Sequence, residues 1–250
     1  ERRRQNYEIS QGVELRTRYR LRSTLAALDL GYELGNRGEV RVGVERERVF
    51  SELKLGPASG LAREVEDARG FVRLDLDELD SVTFPTDGYA GSLVYAQSFR
   101  GLGGEFERSR TTLEVLSARP LGNFAVASGL TLGSTFDESE SRVVAVPPFA
   151  LGGLFRLSGL RGGERQGDHV ALARAIAYRR ASALGQKLYL GTSLEWGNVF
   201  GDREDFDLHE LLWNGSVFAG ADTFLGPIYL GAGFGEGGRR NYYFVLGRTF

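Results

Sequence analysis

"EVRVGVE" (Glu39–Glu45) and "KLYLGTSLEW" (Lys187–Trp196) decide how the chain is read. In the first, Val40, Val42 and Val44 alternate with Glu39, Arg41 and Glu45. In the second, Leu188, Leu190, Leu194 and Trp196 alternate with Lys187, Ser193 and Glu195. Between them, Val72, Leu74 and Leu76 oppose Arg73, Asp75 and Asp77. A period of two means strands with one apolar and one polar face. Extended over the chain, the pattern predicts about twelve strands of roughly ten residues, the length a tilted strand needs to cross a bilayer. They fall near 7–19, 24–34, 39–53, 70–79, 89–99, 105–118, 123–136, 169–181, 187–199, 215–224, 228–234 and 241–250. Strands of soluble proteins are about half as long.

The joints alternate too. Short turns at 35–38, 119–122, 185–186 and 225–227 contrast with longer polar loops at 56–69, 137–168 and 201–214. Short turns at one end and long loops at the other, with aromatic residues at strand ends (Tyr32, Tyr89, Phe99, Trp196, Trp213), predict an all-β antiparallel transmembrane β-barrel. The reading gives one barrel domain over residues 1–250, with no internal boundary.

Composition narrows the function. With 42% hydrophobic and 26% charged residues the chain is neither disordered nor a helical membrane protein. A formal net charge of -2 gives no electrostatic case for nucleic acid as a partner. Cysteine is absent, which removes disulfides, thiolate metal sites and a thiol nucleophile. Methionine is absent as well, so the chain reads as a C-terminal fragment of a longer protein. His169 and His209 stand near loop ends and read as solvated. No Gly-x-Ser-x-Gly elbow is present, so no catalytic residue is assigned and the fragment is expected not to be an enzyme. Gly233, Gly235 and Gly238 fit G-x-G-x-x-G, but a strand follows where nucleotide binding needs a helix; they read as a flexible hairpin loop. The acidic residues Asp202, Glu204, Asp205 and Asp207 read as a solvated loop. No cofactor or metal is expected.

Three stretches carry a family resemblance. "PFALGGLFRLSGLRGG" (148–163) resembles the inward loop of the outer-membrane-protein-85 (bacterial surface antigen) superfamily, barrels that insert or secrete other proteins. "DELDSVTFPTDG" (77–88) resembles its periplasmic turn, and "LEWGNVF" (194–200) its acidic-x-Gly-Asn-Val-aromatic strand end. The wording from "LFRLSGLRGGERQGDHVALARAIAYRR" through "SLEWGNVF" to the terminal "LGRTF" is most similar to the C-terminal outer-membrane barrel of bacterial patatin-like phospholipases. The resemblance implies a barrel of about sixteen strands; this chain supplies about twelve, so either four lie upstream or the barrel is smaller.

It also implies an outer-membrane anchor and translocator of a patatin-like type V surface protein. The expected partners are outer-membrane lipids, the assembly machinery and an N-terminal passenger domain in cis. The alternatives are a general outer-membrane assembly or two-partner secretion barrel, an outer-membrane phospholipase or protease, and a passive pore. The loop and its contacts are expected at Gly152, Gly153, Ser158, Gly159, Arg161, Gly162 and Glu195. Its tip aligns either at Leu157–Ser158–Gly159–Leu160, with serine where the superfamily has arginine, or at Leu160–Arg161–Gly162–Gly163. Ala177 replaces the acidic residue that the family places before Tyr-Arg. An insertion signal is expected at Tyr242, Phe244, Leu246 and Phe250.

One strand poses a question of its own. Ala171, Ala173, Ala175 and Ala177 alternate with Val170, Leu172, Ile176 and Tyr178, interrupted by Arg174. The larger residues are expected on the lipid face and the alanines inside, beside Gly191 and Ser193. They would form a trough for the inward loop, with Arg161 reaching Glu195.

Overall fold

The computed structural model describes residues 2–11, 15–55, 64–105, 107–137, 148–183, 186–247 and 249. Its strands are β1 (Arg2–Gln11), β2 (Leu15–Glu33), β3 (Gly38–Leu55), β4 (Glu64–Asp77), β5 (Gly88–Ser98), β6 (Arg108–Leu121), β7 (Phe124–Asp137), β8 (Phe149–Leu151), β9 (Arg165–Gly167), β10 (His169–Ala183), β11 (Gln186–Phe200), β12 (Leu212–Thr223), β13 (Gly226–Gly235) and β14 (Arg239–Leu246). All but β8 and β9 form one twelve-stranded antiparallel sheet in chain order. β7 pairs directly with β10, and the small β8–β9 hairpin is the excursion between them. β1 and β14 end the order, so the sheet is open.

The expected strand at 7–19 is two elements: β1 stops at Gln11 and β2 begins at Leu15, and the two pair in register from Gln11↔Leu15 to Arg2↔Thr24. Polar alternation runs through both, so period alone gives no sign of the reversal.

Register aligns the apolar residues into rows on the outer face. Tyr32, Val40, Leu74, Leu93, Leu113 and Leu132 are successive cross-strand partners. Leu28, Leu30, Leu194, Val217, Leu230 and Phe244 share this face and are each more than half exposed. A continuous apolar wall of this extent is far larger than a soluble monomer shows, and it has the pattern of a lipid-facing barrel surface. The wall ends abruptly: after Val42 and Val44, the next outward residues of β3 are Arg46 and Arg48, both bound to Glu66. No helix among the described residues is long and apolar enough to cross a membrane.

The inner face is divided. Over β2–β4 it is ionic. Arg41 binds Asp29 at 2.6 Å and Glu39 at 2.7 Å. Arg69 binds Glu45, Asp67 (3.1 Å) and Glu47 (3.3 Å). Over β10–β14 it is covered by two re-entrant segments, apolar on β10 and with a buried polar patch at Ser193, Glu195, Asn214 and Ser216.

On β10 the expected faces are reversed. Val170, Leu172, Ile176 and Tyr178 are buried on the inner face, and the alanines lie outside. The loop laid against this wall is itself apolar, so the wall must be apolar too. Val170 and Leu172 pack with Leu151, Leu157 and Leu160; Ile176 and Tyr178 pack with Leu154 and Phe155. An apolar residue on a barrel strand faces lipid only where nothing apolar fills the interior.

Candidate functional site: the infolded loop and its wall

The loop over 148–167 starts and ends as the β8–β9 hairpin, with Phe149 paired to Gly167 and Leu151 to Arg165. Gly152 and Gly153 then adopt φ of +123° and +113°. A Cβ on Gly152 would stand 2.0 Å from the Arg161 carbonyl oxygen, so only glycine fits there. The turn closes with Gly152 N–H donating to Arg156 O (2.7 Å) and Gly153 N–H to Leu160 O (3.1 Å). Phe155 and Leu157 have φ of 64° and 70°, a conformation that costs bulky residues energy. Both side chains are completely buried, and that packing holds the strained backbone in place.

The tip is Ser158–Gly159, and every polar group on it meets the wall. Glu195 receives the Ser158 N–H, the Ser158 hydroxyl (2.5 Å) and the Ser193 hydroxyl (2.5 Å), with no exposure to solvent. Gly159 N–H donates to Asn214 Oδ1 at 2.9 Å. The Tyr243 hydroxyl donates to Ser158 O (2.7 Å) and Leu160 O (2.6 Å), and Asn241 Nδ2 to Gly159 O (2.6 Å).

The floor beneath is glycine. A Cβ on Gly233 would lie 2.0 Å from Ser158 O, and one on Gly159 would lie 2.5 Å from Gly235 Cα. Gly233 and Gly235 are therefore strand residues of β13 that let two backbones touch. This corrects their reading as parts of a flexible loop; Gly238 does lie in the β13–β14 connection.

The expected Arg161–Glu195 contact does not form. Arg161 is exposed, and its backbone N–H donates to Glu164 Oε2 at 2.8 Å. Gly162 is exposed beside it. The turn at Gly152–Gly153 sends 161–164 away from the wall, and Ser158 supplies the donors to Glu195 without burying a guanidinium, whose desolvation is costly. Of the two tip alignments, the one at Leu157–Leu160 describes the fold. Outside the wall, Glu164 meets Arg239 at 2.5 Å. Burial pushes the Glu164 carboxyl upward, but the Arg161 N–H and Arg239 outweigh it and hold it below the usual range.

A second segment enters from the other end of the strands. The β4–β5 connection, 78–87, puts Phe84 flat on Tyr189 (ring centroids 3.8 Å). The Tyr178 hydroxyl donates to Pro85 O, and that of Tyr229 to Thr83 O at 3.0 Å. Phe84 and Phe155, from the two infolded segments, belong to one buried cluster. Asp80 organises this turn, accepting from Thr86 N–H (2.8 Å), the Thr86 hydroxyl (2.5 Å) and Asp87 N–H (3.1 Å). Between the infolded loop and the β4–β6 wall lies a cavity of about 570 Å³ lined by Asp75, Glu114, Arg156 and Arg174.

Several site residues carried no sequence signal: Asn214, Asn241 and Tyr243 gain meaning only from register. The row Arg174–Glu195–Asn214–Gly235 crosses four strands. Tyr242, Phe244 and Leu246 of the expected insertion signal alternate outward along β14 with exposures of 82%, 71% and 54%, whereas Phe250 lies outside the described residues. His169 is not a solvated loop residue: it starts β10, half-buried, with its Nδ1 2.6 Å from Ser134 Oγ. His209 is exposed in the β11–β12 connection. Among the described residues no three His, Asp or Glu side chains cluster as metal ligands.

Comparison with solved structures places the fold. BamA from Haemophilus ducreyi lacking POTRA domains 1–3 superposes with a TM-score of 0.75 at 12% identity, covering 96% of this chain and 56% of that one. CdiB from Escherichia coli gives 0.62 at 14% identity (96% and 46%), and CdiB from Acinetobacter baumannii 0.55 at 15% (89% and 40%). This chain thus spans 40–56% of the length of the solved chains it matches. No family model and no curated protein matches the sequence. The all-β antiparallel wall with its infolded loop has the fold of the BamA and CdiB barrels.

Proposed function

We propose that this chain is the membrane-spanning part of an outer-membrane barrel that assembles or secretes other proteins, of the outer-membrane-protein-85 or two-partner secretion kind. One observation carries the reading. A loop of twenty residues (148–167) leaves the wall between β7 and β10, folds back on the inner face, and is fastened by four hydrogen-bonding wall residues, Glu195, Asn214, Asn241 and Tyr243. A passive pore gains nothing from so specific a fastening. The likeness to BamA and CdiB barrels supports the same reading. The partners are outer-membrane lipids, the machinery that inserts barrels, and client proteins.

The test is reconstitution of the full-length protein into vesicles, followed by folding of an unfolded outer-membrane barrel client. Folding faster than in empty vesicles, and lost in Glu195→Ala, is the expected result. A protein that purifies in water without detergent refutes membrane insertion. A narrower version makes the chain the C-terminal anchor of a patatin-like surface protein with its passenger in cis, without hydrolase activity of its own. Support for it is the wording of residues 153–250 alone, and a Gly-x-Ser-x-Gly motif upstream is the observation that decides it.

A further inference from the structure

The outward alanines leave a furrow. Ala173 is paired between Leu130 and Trp196, and Ala175 between Ser128 and Leu194. β10 thus runs as a low strip, walled by Trp196 and Leu194 on the β11 side and by Leu130 on the β7 side, where Ser128 leaves the wall low beside Ala175. With strands about 4.8 Å apart, the flanking side chains stand roughly 10 Å from one another centre to centre, which leaves a gap of about 5 Å between their surfaces, room for one acyl chain.

At the long-loop end the furrow opens into an outer-face groove of about 420 Å³. Its floor is the row Leu93–Leu113–Leu132–Ala171. Two residues further along the strands the row turns polar: Thr111, Ser134 and His169, with Ser134 and His169 hydrogen-bonded at 2.6 Å. Arg203 stands at the rim with its guanidinium over the Phe136 ring (6.0 Å), and Phe206 closes the side. Among the described residues the lining itself holds one cation and no carboxylate, and the acidic residues Asp202, Glu204, Asp205 and Asp207 that flank Arg203 in the chain stay outside it. Apolar floor, polar step and aromatic-flanked cation follow one another in the order acyl chain, ester region and phosphate of a lipid.

We propose that this groove is a seat for one anionic, phosphate-bearing lipid of the leaflet at the long-loop end. One acyl chain lies along the alanine furrow. The phosphate is held by Arg203, whose planar fork suits phosphate oxygens, with the Ser134–His169 pair as further donors. The proposal rests on the reading that the outer face is in a membrane.

The chain's two tryptophans provide the readout, since Trp196 and Trp213 stack at 5.3 Å on the outer face beside the furrow. The protein is placed in bilayers containing brominated phosphatidylglycerol or brominated phosphatidylcholine, and tryptophan quenching is measured against lipid mole fraction. Phosphatidylglycerol is expected to be preferred roughly fivefold, the effect of one well-placed cation. The preference should vanish in Arg203→Ala, persist in Arg203→Lys, and weaken in Ala175→Leu, where the furrow is filled. Equal quenching by both lipids, or a preference that survives Arg203→Ala, overturns the lipid seat and leaves the membrane reading standing. No quenching by either lipid overturns both.

Discussion

Placing a methyl group on Gly233 is expected to drive the loop tip off the wall. The new Cβ would lie 2.0 Å from the Ser158 carbonyl oxygen, 2.5 Å from its carbon and 2.6 Å from its Cβ. A carbon and a carbonyl oxygen tolerate about 3.3 Å, so the tip must retreat by roughly 1.3 Å. Such a retreat stretches the 2.9 Å Gly159–Asn214 and 2.6 Å Asn241–Gly159 hydrogen bonds beyond useful length. Two neutral bonds at about 1 kcal/mol each, added to about 1–3 kcal/mol for overpacking, give roughly 3–5 kcal/mol against the infolded state. That lowers its population relative to the released state by about two to four orders of magnitude. Gly231→Ala is the control. It lies on the same strand and face, but its Cβ would meet the movable end of Leu154 at 3.0 Å. Because the chain has no cysteine, Leu160→Cys gives a single buried thiol whose labelling by a water-soluble maleimide reports loop opening. Labelling should accelerate strongly with Gly233→Ala and little with Gly231→Ala, while barrel melting stays unchanged, since the barrel's own hydrogen bonds run between strands. Equal rates in the two variants would refute the close-approach argument.

The same thiol assay serves two further substitutions. Glu195→Ala strands the buried Ser158 N–H and hydroxyl and should speed labelling at least tenfold; Glu195→Gln, which retains a carbonyl acceptor, should fall between it and the parent. Arg161→Ala should change labelling by less than about twofold, the usual reach of an exposed substitution, because Arg161 does not touch the wall. Asp80 makes the 78–87 turn pH-sensitive. Burial raises its carboxyl, but the Thr86 and Asp87 donors outweigh this and hold it below its ordinary value of 3.8. A depressed carboxylate stabilises the turn above the unfolded value and loses that contribution as pH falls through the folded one. The protection of 78–87 amides against hydrogen exchange, taken relative to their intrinsic rates, should therefore stay constant at pH 5 and above and fall below about pH 4; Asp80→Asn should abolish that fall.

How much of this was legible in the sequence depends on what each strand packs against. On β3, β4 and β11 the apolar residues face out, as alternation predicts, because their inner partners are charged or polar: Arg41, Asp75, Glu195. Short turns and strand positions are local properties, and from β3 to β7 and from β10 to β14 the strands fall where alternation places them; at the N-terminus, where the expected strands 7–19 and 24–34 are β1 and β2 with a reversal inside the first, they do not. The infolded loop could be placed only by resemblance, since Gly152–Gly153 marks a turn without saying which way it goes. The β8–β9 hairpin, three residues a side, is too short to show a period.

β10 shows why the face assignment failed where it mattered most. A strand of alternating large and small apolar residues, such as "VALARAIAY" (170–178), has one polar mark, Arg174, which shares a face with Val170, Leu172, Ile176 and Tyr178 and turns that face from lipid. Two arrangements are open to it: large residues toward lipid with small ones under a plug, or large residues into a plug with small ones toward lipid. Among the apolar residues alone hydrophobicity cannot choose, since lipid and an apolar plug are equally good solvents for leucine. Volume can. The loop brings Leu154, Phe155, Leu157 and Leu160, all buried, and their interdigitation with Leu172, Ile176 and Tyr178 fills space that alanines would leave empty. Had the alanines faced inward, the plug would have rested on a flat wall with voids around each ring, losing packing that lipid chains on the outside do not restore. The apolar composition of the loop itself, LGGLFRLSGL over 151–160, is therefore, with Arg174, the signal that orients β10. A polar loop in the same place would have called for the opposite face, and the two readings of the strand are decided by a segment about fifteen residues away in the chain.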